Sequence, residues 1–287
     1  KNIEMSKGCN KNLISPLSCK DYTVSGDSFE LVINKEYEML VTAPVPTDLE
    51  KYYKSNAYIS HTDSKKTFFD KGYQIVKNYT LQQKLSLLNS FKTSAKSVLD
   101  VGAGTGDFLS VCKKNDWETF GVEPSLVARD VAKKKGIFLK AGLSEFKNQK
   151  FDVISLWHVL EHVEHLKDTI KTLQGLLKPG GRIVVAVPNY KSYDAQFYNE
   201  YWAAYDVPRH LWHFSQTAIH KLFSEVEMTV SQTLPMRFDS YYVSLLSEKY
   251  KKGKLKFIAG FYRGFISNLK AQVTSEYSSL IYVIKNK

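Results

Sequence analysis

The chain has 287 residues, of which 43% are hydrophobic and 13% aromatic, so it can bury a large core as one large domain with a smaller partner. Basic residues outnumber acidic ones by 40 to 29, and because the excess of +11 is spread along the chain it indicates a solvated basic surface. Three cysteines are too few for a disulfide framework, no run of about 18 apolar residues occurs, and the first residues lack the apolar core of a signal peptide. These features argue against a disulfide-rich or membrane-spanning protein and predict a cytoplasmic one.

Two distinct sections precede the main part of the chain. Residues 1–50 contain short alternating apolar stretches that end in two prolines, which predicts a small β-rich segment. In residues 51–96 apolar residues recur at spacings of three and four, as in Leu81, Leu85 and Leu88. This spacing predicts a helical section that serves as a lid or linker.

From residue 97 to 287 strand-like and helix-like segments alternate. The strand-like segments are SVLDV, TFGVE, IFLKA, FDVISL, RIVVAVP and SLIYVIKN, and the segments SLVARDVAKKK and HLKDTIKTLQGLLK between them are helix-like. This alternation predicts an α/β domain with a doubly wound, Rossmann-like, mostly parallel seven-stranded sheet and helices on both faces. A ligand is expected outside the carboxyl ends of the strands, with substrate-side insertions around residues 190–220 and 237–270.

The stretch VLDVGAGTGDFL, from Val98 to Leu109, places three glycines directly after the first of these strands. Glycine tolerates positive φ and lets a ligand approach the backbone, so a ligand-binding strand-to-helix turn is expected here. The third glycine comes one residue too early for a dinucleotide fingerprint, and Asp100 and Asp107 would repel a pyrophosphate but suit an ammonium group. Glu123 ends the second strand and can accept both hydroxyls of a ribose, so these charges describe an amino acid joined to a nucleoside.

The segments DVGAGTGDFL, GVEPS, FDVISLWHVLEHV and LLKPGGRIVVAVPN resemble, in this order, the motifs of class I S-adenosylmethionine-dependent methyltransferases. The resemblance covers residues 96–189 and implies S-adenosylmethionine as the cofactor and S-adenosylhomocysteine as its product. It implies that Asp100 and the glycine turn bind the methionine part, that Glu123 binds the ribose, and that residues 142–144 lie near the adenine. The cofactor-binding residues that it implies are Tyr58, His61, Asp100, Gly102, Ala103, Gly104, Gly106, Phe108, Glu123, Pro124, Gly142, Leu143, Ser144, Leu156 and Trp157.

HVLEHV (His158–Val163) and DVPRHLWHFS (Asp206–Ser215) resemble, more closely, ubiquinone-biosynthesis-type O-methyltransferases and related enzymes encoded among bacterial cell-surface sugar pathways. Chains of that branch often begin with a zinc-binding knuckle of paired cysteines. Only Cys9 and Cys19 remain of that pattern, and two cysteines without nearby histidines make a poor four-ligand site, so no zinc is expected. His158 replaces a leading acid that some relatives use for a divalent ion, so no metal ligand is assigned.

Methyl transfer from a sulfonium to a hydroxyl requires alignment of the acceptor, exclusion of water and removal of a proton. His158, Glu161 and His162 follow the fourth strand at spacings of three and four, which suits either a base with its orienting acid or a metal. These three residues are therefore candidate catalytic residues. The alternative is that Glu161 and His162 brace the loop.

A second candidate constellation lies on the connection after the fifth strand. Arg209 has the planar fork that suits an acceptor carboxylate or phosphate, and His210 is a further candidate base. The alternative for Arg209 is an ion pair with Asp206 that anchors the loop. Residues 249–265 mix lysines with aromatic side chains, which suits a membrane surface or a lipid-linked acceptor; the alternative is a helix packed across the sheet edge with a solvated face.

These observations predict an S-adenosylmethionine-dependent methyltransferase that acts on a small-molecule acceptor, with O-methylation as the leading chemistry. Two alternatives remain open: a cofactor-binding protein of this fold without turnover, and a nucleic-acid methyltransferase that uses the basic surface. No nucleic-acid partner is expected, because the core motifs contain no compact arginine-rich patch with interleaved aromatic residues. The sequence does not define the acceptor, the base or the oligomeric state.

Overall fold

The computed structural model describes residues 17–53, 68–91, 93 and 95–287, with the side chains of α1 described from residue 74 onward. Ten strands and eight α-helices are present in these ranges. The strands are β1 (Leu17–Lys20), β2 (Ser28–Asn34), β3 (Met39–Ala43), β4 (Ser97–Val101), β5 (Glu118–Val122), β6 (Phe151–Trp157), β7 (Leu177–Pro188), β8 (Trp212–His213), β9 (Met228–Pro235) and β10 (Ser279–Asn286). The helices are α1 (Phe68–Ser90), α2 (Asp107–Lys113), α3 (Leu126–Lys134), α4 (Leu166–Gly175), α5 (Tyr193–Tyr198), α6 (Gln216–Ser224), α7 (Asp239–Lys252) and α8 (Phe257–Thr274).

The main sheet has the strand order β5-β4-β6-β7-β10-β9. The first four strands of this order are parallel to one another, and β10 is antiparallel to both of its neighbours. Because β4 lies between β5 and β6, the chain changes direction across the sheet at β4, and the loops after β4 and β5 diverge from this point. This is the position at which open α/β sheets bind their ligands.

The predicted α/β class with a mostly parallel sheet is confirmed, but the sheet has six strands among the described residues rather than seven. The segment IFLKA, expected as a strand, makes a single parallel bridge between Lys140 and Val122. Phe138 in this segment is 73% exposed. The segment is therefore not covered on both sides, whereas every residue of β4 is buried. The edge strand β9 is one that the sequence analysis did not single out.

Both faces of the main sheet are covered by helices, because its central strands are apolar on both sides. Leu99 and Ile154 point into one buried cluster, which α4 and α6 complete with Leu173 and Leu222. Their chain neighbours point the other way into a second cluster that α1, α2 and α3 complete; it includes Val98, Val153, Leu88, Leu109 and Ala132. Continuous apolar strands of this kind are typical of sheets buried on both faces.

The N-terminal β-rich segment forms an antiparallel sheet in the order β1-β2-β3-β8. Its fourth strand is not local, because β8 comes from the connection that follows β7. Cys19 and Phe29 of this small sheet pack against Tyr198, Trp202 and Tyr205 of the same connection. The small sheet and the connection therefore share one core, which fixes the connection over the carboxyl edge of the main sheet.

Candidate active site

The turn after β4 lies across the end of the neighbouring strand. The backbone N–H groups of Gly102 and Ala103 both donate to the carbonyl of Val122, at 2.8 and 2.9 Å. Gly102 has φ +72, and a Cβ built on it would stand 2.4 Å from Cγ2 of Val159, so only glycine fits there. Gly104 and Gly106 also have positive φ. The predicted glycine turn is thus a flat backbone surface directly over the switch point of the sheet.

Glu123 follows β5 and is held by this turn. Its Oε2 accepts a hydrogen bond from the N–H of Gly104 at 2.9 Å, and its Oε1 accepts one from the N–H of Ser125 at 2.9 Å. The side chain is half-buried, and Pro124 next to it is exposed. Each oxygen keeps a second lone pair, so the carboxylate can accept two further hydroxyl donors from a ligand that lies on the turn.

The two aspartates that flank the glycines have different environments. Asp100 is 3% exposed and accepts a hydrogen bond from Oγ of Ser155 at 2.6 Å, and burial raises its pKa to about 7. Asp107 pairs with Lys77 and Lys135 at 2.7 and 2.6 Å, and these ammonium groups lower its pKa against the opposing effect of burial. Asp107, at the start of α2, is therefore engaged by two lysines, and Asp100 is the acid that remains beneath the turn.

Substitution of Asp100 by asparagine is expected to change how stability depends on pH. The folded-state pKa of Asp100, about 7, lies above its ordinary value of 3.8. The stability that protonated Asp100 contributes is therefore fully present below pH 3.8 and is lost as the pH rises through about 7. Asp100→Asn removes this loss, so the variant gains stability relative to the wild type between about pH 4 and about pH 8. Urea denaturation at the two pH values measures the difference.

The control is Asp130→Asn, a change at an exposed aspartate of α3. Its free energy of unfolding should follow the wild type at every pH. Equal pH slopes for Asp100→Asn and the wild type would show that Asp100 is ionised in the folded protein over the whole range.

The end of β6 separates two residues that the sequence analysis placed together. Leu156 has no exposed surface, and its side chain lies in the core rather than at a surface of the site. Trp157 is the next residue and therefore points to the other side; its ring meets the buried ring of Phe108 edge to face, with centroids 5.7 Å apart. The indole Nε1 of Trp157 is buried and has no hydrogen-bond partner among the described residues.

Lys84 of α1 is a residue of this region that the sequence analysis missed. Its ammonium lies over the ring of Trp157, 4.3 Å from the centroid, and faces the charges of Asp100 and Asp239. Burial lowers its pKa, while the two carboxylates oppose that effect. The available signal was its place on the helix: Lys84 lies on the same face as Leu81, Leu85 and Leu88, a face that is otherwise apolar.

His158 lies between two carboxylates. Its backbone has φ +56, its Nδ1 is 3.3 Å from Oε1 of Glu161, and its Nε2 is 3.0 Å from Oδ2 of Asp239. Burial alone would lower its pKa, but the two acids raise it to about 10. In this arrangement His158 is a protonated imidazolium that joins the loop after β6 to the start of α7. It has no ring nitrogen left to accept a proton, which differs from the base predicted at this position.

His162 and His210 each direct Nδ1 at a backbone carbonyl. Nδ1 of His162 donates to the carbonyl of Arg209 at 3.0 Å, and Nδ1 of His210 donates to the carbonyl of Ala204 at 2.9 Å, so Nε2 is the basic nitrogen of each ring. Burial lowers the pKa of His162 to about 4, so this ring is neutral at pH 7. The two rings meet with centroids 4.5 Å apart.

Glu161 completes this group. It is 1% exposed, and apart from the ion pair of Oε1 with Nδ1 of His158 at 3.3 Å its carboxylate oxygens have no hydrogen-bond partner among the residues that the structure describes. One ligand atom from each of Glu161, His162 and His210 lies within 4.8 Å of the others. A carboxylate with two imidazoles is a donor set of the kind that transition metals accept, so these are the described residues that could hold an ion.

Arg209 is an anchor of the connection. It is 1% exposed, and its guanidinium donates to both oxygens of Asp206, to Asp21 and to the carbonyl of Tyr52 at 2.6 to 3.1 Å. All of its nitrogens are engaged, so it has none to offer an acceptor carboxylate. The structure thus shows the anchoring alternative, extended to a second carboxylate from the N-terminal sheet.

Some of the remaining predicted residues lie at the edge of the site, and others lie outside the described ranges. The β-bridge between Lys140 and Val122 brings this part of the chain next to Glu123, which follows Val122. The predicted adenine-side residues come just after Lys140 and are half-buried or exposed: Gly142, Leu143 and Ser144. Tyr58, His61 and Cys9 lie outside the described residues. Cys19 is buried in the small sheet, and burial raises the pKa of its thiol to about 12.

The sheet order and the glycine turn at the switch point define a Rossmann-like nucleoside-binding α/β protein. A family model described as a methyltransferase domain matches residues 73–233, more than half of the chain. The chain therefore belongs to this methyltransferase family.

Known proteins with similar sequences agree with this membership. An uncharacterized methyltransferase of Anoxybacillus flavithermus is 28% identical over 156 residues, which cover 50% of this chain and 66% of that protein. A ubiquinone biosynthesis O-methyltransferase of Coxiella burnetii is 31% identical over 109 residues, which cover 34% of this chain and 47% of that protein. The matched segments thus span between about half and two thirds of these relatives.

The fold is also found in solved structures. Magnesium protoporphyrin IX methyltransferase from Synechocystis with bound S-adenosylhomocysteine superposes with a TM-score of 0.55 over 82% of this chain and 97% of that chain. The sequence identity is 14%, so this likeness concerns the fold alone.

Proposed function

We propose that this protein transfers a methyl group from S-adenosylmethionine to a hydroxyl of a small-molecule acceptor. One observation supports this proposal most strongly: the Glu123 carboxylate is fixed against the N–H of Gly104 on a positive-φ glycine turn. A ligand on this turn meets backbone and two acceptor oxygens, which suits a ribose and does not suit a pyrophosphate. Membership of the methyltransferase family and the likeness to ubiquinone biosynthesis O-methyltransferase support the same function.

The described residues fit S-adenosylmethionine. Glu123 would accept the ribose hydroxyls, Asp100 beneath the turn would attract the ammonium of the methionine part, and Lys84 would neutralise its carboxylate. The indole Nε1 of Trp157, which has no hydrogen-bond partner among the described residues, lies in the same region and is available to a ligand acceptor atom. When bound, the cofactor supplies an electrophilic methyl group, and the protein has to align the acceptor and exclude water.

The acceptor side is formed by the loop after β6 and the connection after β7. Nε2 of His162 or His210 would take the hydroxyl proton, because each Nδ1 is committed to a carbonyl. Glu161 lies beside both rings and would stabilise the imidazolium that forms. His158 and Arg209 act as positioning residues, since both side chains are saturated by carboxylates.

Calorimetry and a turnover screen test this function. Titration with S-adenosylmethionine and S-adenosylhomocysteine is expected to give micromolar dissociation constants, about −8 kcal/mol. A small-molecule extract incubated with protein and S-adenosylmethionine should then yield a product heavier by one methylene. His210→Gln should keep cofactor affinity and lower turnover by about 100-fold or more.

His220→Gln serves as the matched control, because His220 is an exposed histidine of α6. Its turnover should equal that of the wild type. Absence of binding heat with both nucleosides would refute the cofactor assignment, and binding without any methylated product would favour the alternative of a protein without turnover. Methylation of added RNA rather than of the extract would favour the nucleic-acid alternative.

A further inference from the structure

The helical hairpin of α7 and α8 has its small residues inside and its large apolar residues outside. On α8 the inward positions are Gly260, Gly264, Ser267 and Ala271, all buried. A Cβ on Gly264 would stand 2.7 Å from Cα of Tyr241, so the two helix backbones are nearly in contact. Small residues that permit so close an approach are typical of helix pairs in lipid, where burial of large side chains between helices gains nothing.

The outer face of α8 carries a continuous apolar stripe. With about 100° between successive residues, six side chains fall on one arc of the helix, opposite the small residues. Each is 42–89% exposed: Ile258, Phe261, Tyr262, Phe265, Leu269 and Val273. A helix of a water-soluble protein normally turns its apolar face to the core. An exposed apolar stripe of this size is typical of a surface that binds an apolar partner.

The charged residues around the stripe indicate what kind of partner it binds. Between residues 249 and 274 the sequence has seven basic residues and no acidic one. Five are exposed lysines at the turn between the helices, and Arg263 and Lys270, which follow one flank of the stripe at 100° per residue, lie over the rings of Phe197 and Tyr193 of α5. The basic residues are Lys249, Lys251, Lys252, Lys254, Lys256, Arg263 and Lys270. An apolar face rimmed by cations alone is complementary to anionic lipid headgroups over acyl chains.

No helix in the described part of the chain is long and apolar enough to cross a membrane. A helix such as α8, with 18 residues, an apolar face and two basic side chains, instead lies in the plane of the interface. We propose that the stripe on α8, with the lysines of the turn, docks this protein on the surface of an anionic lipid bilayer.

Docking at this surface places the bilayer close to the candidate active site. Asp239 is the first residue of α7 and contacts Nε2 of His158 at 3.0 Å. The helix has 14 residues, a length of about 21 Å from Asp239 to its far end. A bilayer held by α8 is therefore within one helix length of the loop after β6. The proposal stands on the hairpin alone and does not depend on the methyl-transfer chemistry.

Vesicle sedimentation of the purified full chain tests the proposal. The probes are vesicles of phosphatidylcholine alone and of phosphatidylcholine with phosphatidylglycerol. We expect the wild type to sediment with the anionic vesicles and to be released by salt. Phe261→Ser with Phe265→Ser should lower the apparent affinity by more than about tenfold, and Lys251→Gln with Lys252→Gln should lower it by about tenfold at low salt.

Matched controls lie next to β5, which is at the opposite edge of the main sheet from β9 and β10, the strands that flank the hairpin in the chain. Phe138→Ser removes a 73% exposed aromatic residue, and Lys133→Gln with Lys134→Gln removes two exposed lysines of α3; both should leave vesicle binding unchanged. Because Phe261 stacks on Tyr241, Ile258→Ser, at an 89% exposed position, gives a second variant whose folding is not in question.

Three results would overturn the proposal. The wild type could remain in the supernatant with both kinds of vesicle, or the controls could reduce binding as much as the stripe variants do. Sedimentation equilibrium could also reveal a dimer that Ile258→Ser dissociates, without any vesicle binding, and the stripe would then be an interface between two copies of the chain.

Discussion

Arg209→Met is expected to lower the free energy of unfolding by about 3–5 kcal/mol, the largest loss of stability among the substitutions considered. The guanidinium is 1% exposed and is the common partner of Asp21 and Asp206. Without it, two carboxylates face each other at a buried site with no cation between them. Denaturation with guanidinium chloride, followed by circular dichroism, measures the change.

The control for this prediction is Arg237→Met, which removes an exposed arginine before α7 and should change stability by less than about 0.5 kcal/mol. A loss below about 1 kcal/mol for Arg209→Met would contradict the assignment of Arg209 as a buried anchor. Asp21→Asn should cost less than Arg209→Met, because it leaves the pair of Arg209 and Asp206 intact.

Loss of this anchor should also affect the candidate active site. Arg209 joins Asp21 of the small sheet and the carbonyl of Tyr52 to the connection that carries His210. Its own carbonyl accepts the Nδ1 hydrogen bond of His162. Arg209 with Asp21 and Asp206 therefore couples the N-terminal sheet to the two histidines, which gives the small sheet a role in positioning the acceptor side.

Glu123→Gln is expected to reduce affinity for S-adenosylmethionine by about 10- to 100-fold while the protein stays folded. Hydrogen bonds to a charged group contribute about 1.5–3 kcal/mol, and about 1.4 kcal/mol corresponds to a factor of ten. In the wild type both oxygens of Glu123 accept hydrogen bonds, from the N–H groups of Gly104 and Ser125. The side-chain amide of the glutamine places an NH₂ donor against one of these two N–H donors. Calorimetric titration of both proteins gives the ratio directly.

Glu118→Gln is the matched control, since Glu118 is exposed at the opposite end of β5 and lies far from the carboxyl edge. It should bind S-adenosylmethionine as the wild type does. If Glu123→Gln binds as tightly as this control, the carboxylate does not hold the ribose and the placement of the cofactor on the glycine turn is wrong.

The features that the sequence predicted correctly depend on contacts between near neighbours. The β4 strand, the glycine turn and the start of α2 follow from an apolar run and three glycines within twelve residues, and the structure has them in that order. Glu123 was predictable because the carboxyl ends of adjacent parallel strands lie at one edge of a sheet. The arrangement at the end of β6 is also local: a strand alternates its side chains, so those of Leu156 and Trp157 point to opposite sides.

The features that were not predictable depend on residues far apart in the chain. His158 is protonated because Asp239, from a helix 81 positions later, supplies its second carboxylate. Arg209 is saturated because Asp21 reaches it across 188 positions. Neither partner stands out in the sequence, since an isolated aspartate in a loop or at a helix start has many ordinary uses.

The sequence by itself determined the fold class, the position of the glycine turn and the carboxylate beside it, because these are set by hydrophobic periodicity and by the conformational freedom of glycine. Only the tertiary structure decided which titratable groups are charged, since ionisation depends on burial and on the charges that folding brings near. It also decided that the large side chains of α8 face outward, because the small residues opposite them are pressed against α7.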